Sequence, residues 1–166
     1  LNGASGVFVS GVVWMASGIA LDRAGHTIAF VILFAGGMLI FPVSALLARL
    51  LFRAQPPAKN NPLNSLGFEV TVPLFAGIFV AFALLPRDPA LAFALFATIV
   101  GARYFAFATL YRDRVYWLLG TALFATGTLF AIERTLVSLN VVLCVGLIEL
   151  AFAAAIFARW RAIPRS

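Results

Sequence analysis

The sequence predicts an all-α fold: a polytopic membrane helix bundle of six transmembrane helices, N-in and C-in. Three observations predict it. Hydrophobic residues make up 63% of the chain and charged residues only 11%, whereas a soluble domain is about half apolar and a quarter charged. The apolar residues fall into six runs near the roughly 20 residues a helix needs to cross hydrocarbon. Lys and Arg gather in alternate connections. A transmembrane barrel would instead show alternating segments of roughly 10 residues with a polar lumen face.

The first span is read from Gly3 to Leu21 and ends at the charged pair Asp22-Arg23. The second runs from Ile28 to Ala48, and Arg49 closes it. A longer connection, Arg53 to Ser65, precedes the third span, Leu66 to Leu85. The fourth, Pro89 to Leu110, follows the charged pair Arg87-Asp88. The fifth, Tyr116 to Ile132, is the shortest, and the sixth is read from Thr135 to Ala158. The whole chain, 1–166, is then one transmembrane domain.

Orientation follows from the basic residues near the span ends. Arg49, Arg53, Lys59, Arg112, Arg114, Arg159, Arg161 and Arg165 fall on one side, and Arg23, Arg87 and Arg134 on the other. The richer side, which holds both termini, is expected to be cytoplasmic in an inner (plasma) membrane. This topology predicts no cleaved signal peptide. Tyr111, Tyr116, Trp117 and Trp160 lie near the same boundary, as interfacial aromatics do. Each opposite turn pairs an acid with a base, as in Asp22-Arg23, Arg87-Asp88 and Glu133-Arg134. Such pairs read first as solvated helix ends and second as a vestibule for ions, with His26 beside the first pair.

The net charge of +6 reads as retained loops touching anionic lipid. With a single Lys and no basic arm, no nucleic-acid partner is expected. A membrane partner or a second copy is open. The lone Cys144 excludes an internal disulfide. One His and one Cys leave no set of ligands for haem or metal within the membrane, so no cofactor is expected. No nucleophile elbow, zinc-protease motif or phosphate loop occurs.

Three ionisable residues interrupt the apolar runs: Glu69, Arg103 and Glu149. An arginine near the bilayer centre costs about 3 kcal/mol or more without a partner, water or a route to the headgroups. Arg103 is expected about 10–12 Å in from Tyr111, and Glu149 about 13–15 Å in from Arg159. Glu69 lies near the start of its span, where it can reach the surface and where a helix N-terminus favours it. Side chains lean toward the helix N-terminus, which sends Arg103 and Glu149 deeper. They are therefore expected to need each other, water or a ligand, with Glu149 the first partner for Arg103 and Glu69 the second. Ala90, Ala94, Ala97, Thr98, Gly101 and Ala108 form a small-residue stripe that allows close helix approach. Arg103 falls away from it, with Phe96, Ile99, Phe107 and Leu110. Tyr104 is the remaining polar candidate beside Arg103.

Two prolines break the helical ladder. Pro42 removes the donor to the Met38 carbonyl and Pro73 that to Glu69, so both are expected kinks.

The run Asn61-Pro62-Leu63-Asn64-Ser65-Leu66-Gly67, with Gly101-Ala102-Arg103-Tyr104 and the stretch Tyr111 to Trp117, resembles a family of small six-span bacterial inner-membrane proteins of unknown function. The resemblance covers most of the chain. It implies no substrate and no catalytic residue. In its own right Asn-Pro favours a turn, and Asn64 or Ser65 can cap the third span.

Small-solute or ion transport follows best from these residues, with Arg103, Glu149, Glu69 and Tyr104 as binding or proton-coupling groups. The alternatives are a membrane interaction or assembly subunit with a structural Arg-Glu pair, and a lipid-acting membrane enzyme with a carboxylate base. No spacing demands an enzyme.

Overall fold

The apolar runs form helices because hydrocarbon offers no partner to a free backbone N–H or C=O, and a helix satisfies both within itself. The computed structural model describes residues 3–52, 64–133, 135 and 138–162. Seven helices follow in order: α1 (Ala4–Ala24), α2 (His26–Phe52), α3 (Asn64–Glu69), α4 (Val72–Leu84), α5 (Pro89–Tyr111), α6 (Val115–Ile132) and α7 (Val141–Ala162). Together α3 and α4 make one interrupted span, so six segments are long and apolar enough to cross a membrane. The protein is a multi-pass integral membrane protein, and no strand occurs among the described residues.

Two stretches differ from the sequence expectation. The third span is broken at Val70-Thr71 rather than bent. Pro73 cannot donate to the Glu69 carbonyl, and Thr71 Oγ1 donates to the Gly67 carbonyl at 2.9 Å in place of a continuing ladder. The sixth span starts at Val141, not Thr135. Asn140 ends the turn, because its Oδ1 accepts from Leu143 N–H at 3.0 Å as a helix cap does. Within that turn Thr135 N–H donates to Glu133 Oε1 at 3.1 Å, which holds the exposed Glu133 carboxyl below its usual range. By contrast α2 runs through Pro42 without interruption, and Ser44 Oγ donates to the Phe41 carbonyl at 3.0 Å. Of the long loop, residues 53–63 lie outside those described, including Asn61, Pro62 and Leu63; α3 begins at Asn64.

The helices pack as two groups. In one, α1 lies between α2 and α7; in the other, α5 lies between α4 and α6, with α3 beside it. Small residues set the close approaches within each group. A methyl carbon on Gly146 would meet Met15 N at 2.8 Å, joining α7 to α1. One on Gly101 would strike the Phe124 backbone, joining α5 to α6. The small stripe of α5 is therefore the side that faces α6. Between the groups α7 also meets α6 and α5, and large side chains interlock. Trp14 of α1 stacks on Phe96 of α5 with ring centroids 5.8 Å apart, and Phe30 of α2 meets Phe93 of α5 at 6.1 Å. We call this bulky interface the seam.

The end near Ala4, Tyr111 and Ala162 is here the terminal end. Arg159 Nη1 and Asp113 Oδ1 meet there at 3.4 Å. At the opposite end Asn140 Nδ2 donates to the Gly18 carbonyl and to Asp22 Oδ1, both at 2.9 Å. Exposed Met38, Phe41, Phe79 and Phe82 put much of α2 and α4 outward, the surface a bilayer would cover.

Candidate functional site at the seam

Glu149 is carried by α7 with no exposed surface at all (0%). The residues on its own helix, four and three positions toward the opposite end, are Val145 and Gly146, both buried. A carboxyl there is shut off from bulk solvent, so its oxygens need partners or stay costly. Tyr104 of α5 supplies one: its hydroxyl donates to Glu149 Oε1 at 2.7 Å. Ser10 of α1 is also buried, and its hydroxyl adjoins both Tyr104 and Glu149. Three helices thus bring one polar group each to a single point on the seam. Glu149 Oε2 is buried with no hydrogen-bond partner.

Tyr104 is held by aromatic neighbours. Its ring stacks on Tyr116 of α6 at 6.2 Å and meets Phe107 edge-on at 5.5 Å. Tyr116 stacks in turn on Tyr111 at 5.2 Å. Gly3 of the first group lies so close to Tyr111 and Tyr116 that a side chain there would meet both. This cluster separates Glu149 from the terminal end.

Arg103 does not pair with Glu149 or with Glu69: no such ion pair occurs within 4.0 Å among the described residues. Consecutive helix residues point about 100° apart, so when Tyr104 reaches the seam Arg103 turns off it. Its guanidinium lies over the Phe107 ring, 4.8 Å from the centroid. Its Nε is buried without a hydrogen-bond partner. The aromatic face gives the cation a favourable electrostatic surface, worth about 0.5–2 kcal/mol, but no countercharge. Glu69, the last residue of α3, is exposed.

The structure therefore unites two residues named from the sequence, Tyr104 and Glu149, and leaves Arg103 beside them and Glu69 apart. Ser10 was not singled out by the sequence. Its only signal was a polar residue in an apolar run, shared with Ser17, which instead donates to the Ala29 carbonyl at 2.7 Å.

A hollow of about 350 Å³ opens at the opposite end of the seam. Leu21, Asp22, His26 and Val141 of the first group face Pro89 and Phe93 of the second across it. Asp22 and His26 both line this recess.

A family model described as a family of unknown function (DUF7010) matches residues 1–159. No curated protein and no solved structure matches the chain.

Proposed function

We propose, for a chain that belongs to the DUF7010 family of unknown function, that it moves a small ion or solute across the membrane with Glu149 as the proton-binding carboxylate. One observation carries this reading. A fully buried carboxyl sits on the seam between two helix groups, with Oε1 held by Tyr104 and Oε2 unclaimed. Ionisable groups inside a membrane are costly and mark ion or proton paths.

The chemistry is one proton transfer. Oε2 takes a proton from a hydronium ion carried in by water that reaches the seam: the hydronium O–H bond breaks, an O–H bond forms on Oε2, water is left, and the carboxylate becomes neutral. Release to water from the other side reverses it. Tyr104 donates to Oε1 in both states, so the carboxyl keeps its place while its charge changes. Arg103 lies nearby on the face of Phe107 and forms no ion pair with Glu149.

Charge distribution supports an inner-membrane orientation with both termini cytoplasmic. Arg114 and Arg159 rim a surface recess with Trp117 at the terminal end, a chemistry suited to anionic lipid headgroups.

The test is proton flux into liposomes containing the purified protein and a trapped pH-sensitive dye. Glu149→Gln keeps the size and the acceptor for Tyr104, so the fold should persist and flux should fall to that of protein-free liposomes. Unchanged flux in folded Glu149→Gln and Arg103→Ala proteins overturns the proposal.

An assembly subunit is the second reading. It is favoured by the lack of an ion-pair partner for Arg103 among the described residues, which a partner's carboxylate would supply. Stable co-purification of a membrane partner, lost on Arg103→Met, would support it. A lipid-acting enzyme needs a lateral opening at the level of Glu149, and Glu149 presents no surface to the bilayer.

A further inference from the structure

The hollow and the buried carboxyl lie on the same seam, and a short stretch separates them. Val141 lines the hollow and Glu149 lies eight residues further along α7, about 12 Å at the helical rise. Trp14 fills this interval. It is one helical turn from Ser10 on α1, toward the hollow, and 2% exposed. Phe96 comes to meet it from α5, two turns from Tyr104 in the same direction, and is 8% exposed. Their rings stack across the seam. Val145 of α7, with no exposed surface, stands at the same level.

Glu149 is thus enclosed from both sides by aromatic layers. Trp14 and Phe96 cover it toward the hollow, and Tyr104, Tyr116 and Tyr111 cover it toward the terminal end. The two layers differ in strength of anchoring. The tyrosine layer is stitched by several stacked rings and lies near the Asp113–Arg159 contact. The other layer is one stacked pair between the two groups, with the tilted Phe30–Phe93 contact one turn nearer the hollow. The hollow already reaches Phe93, one turn from Phe96 on α5.

We infer that the hollow is the entry vestibule to Glu149 and that the Trp14–Phe96 stack is its gate, admitting protons and small hydrophilic cations. This rests on Glu149 being the functional carboxylate. The ligand class follows from the lining, where among the described residues Asp22 and His26 are the titratable groups and no Lys or Arg takes part. Asp22 beside Asn140 offers acceptor oxygens at the mouth, and Glu149 offers an anionic oxygen beneath. Opening requires only that Trp14 or Phe96 change rotamer or that the groups part at this end. The tighter helix contacts within each group stay intact.

The gate is testable without any transport assay, so its failure is distinguishable from failure of the transport reading. In a full-length Cys144→Ala background, Ser10→Cys places a thiol beside Glu149. A charged, membrane-impermeant methanethiosulfonate is added separately to each face of the membrane. Trp14→Ala should raise labelling from the face opposite the termini roughly tenfold, the factor expected when a barrier loses about one stacked aromatic pair. Phe96→Ala should do the same and serves if Trp14→Ala does not fold. Labelling unchanged in both folded variants, or faster from the terminal face, overturns the inference whatever the flux measurements show.

Discussion

Tyr104 and Glu149 are 45 residues apart in sequence and joined by a 2.7 Å hydrogen bond across the seam. The bond links α5, which packs on α6, to α7, which packs on α1. It ties the two groups at a buried polar point, apart from the exposed Asp113–Arg159 contact at the terminal end. Any motion that parts the groups there must break or carry this bond.

Tyr104→Phe removes that link without changing ring packing. The carboxyl then loses the donor that satisfies Oε1, and an unsatisfied buried polar group costs about 1–3 kcal/mol. Thermal unfolding in detergent should show a loss in this range. Glu149→Gln should lose less, because its amide oxygen still accepts from Tyr104. Equal stability of Tyr104→Phe and the parent would mean that the bond is not formed in the folded protein.

Arg103→Met should stabilise the protein by about 1–2 kcal/mol, while flux falls. The substitution removes the cost of a cation in the apolar layer, about 3 kcal/mol at the centre, and forfeits its contact with Phe107, about 0.5–2 kcal/mol. Unfolding measured beside flux separates the two effects. A marked loss of stability would show that Arg103 has a partner that holds it in place.

Glycine substitutions should divide by location. Gly101→Ala pushes a methyl into the Phe124 backbone, and overpacking of this kind costs about 1–3 kcal/mol. Gly37 has open space around its Cβ position. There Ala should be neutral or stabilising by up to about 1 kcal/mol through helix propensity. Denaturation midpoints of the two variants give the comparison, and equal effects would contradict the tight α5–α6 packing.

Much of this was legible in the chain. Hydrocarbon forces each apolar run into a helix, so six spans could be read from length and composition alone. The small residues around Gly101 marked a face of α5 built for close approach, and that face meets α6. That Pro73 disturbs the third span was legible as well, because proline's missing donor is a local property, although the outcome is a break at Val70-Thr71 and not a bend. The true start of α7 was not. Residues 135–139 are nearly as apolar as the helix they precede, and the boundary is set by Asn140, whose side chain caps Val141–Ala162 and reaches α1.

The sequence by itself determined that this protein spans a membrane, that its polar residues there are few, and that Glu149 and Arg103 needed an answer. Those conclusions follow from transfer energies, which each residue carries wherever it goes. Only the tertiary structure decided what answered them. A phase difference of one residue on α5 sends Tyr104, not Arg103, to Glu149, and leaves Arg103 on the face of Phe107. The packing of α1 against α7 brings Ser10 to the same point, and Trp14 one turn further along to Phe96. Partner choice is a matter of rotation and register between helices. Those are fixed by contacts made far apart in the chain, so composition and periodicity do not contain them.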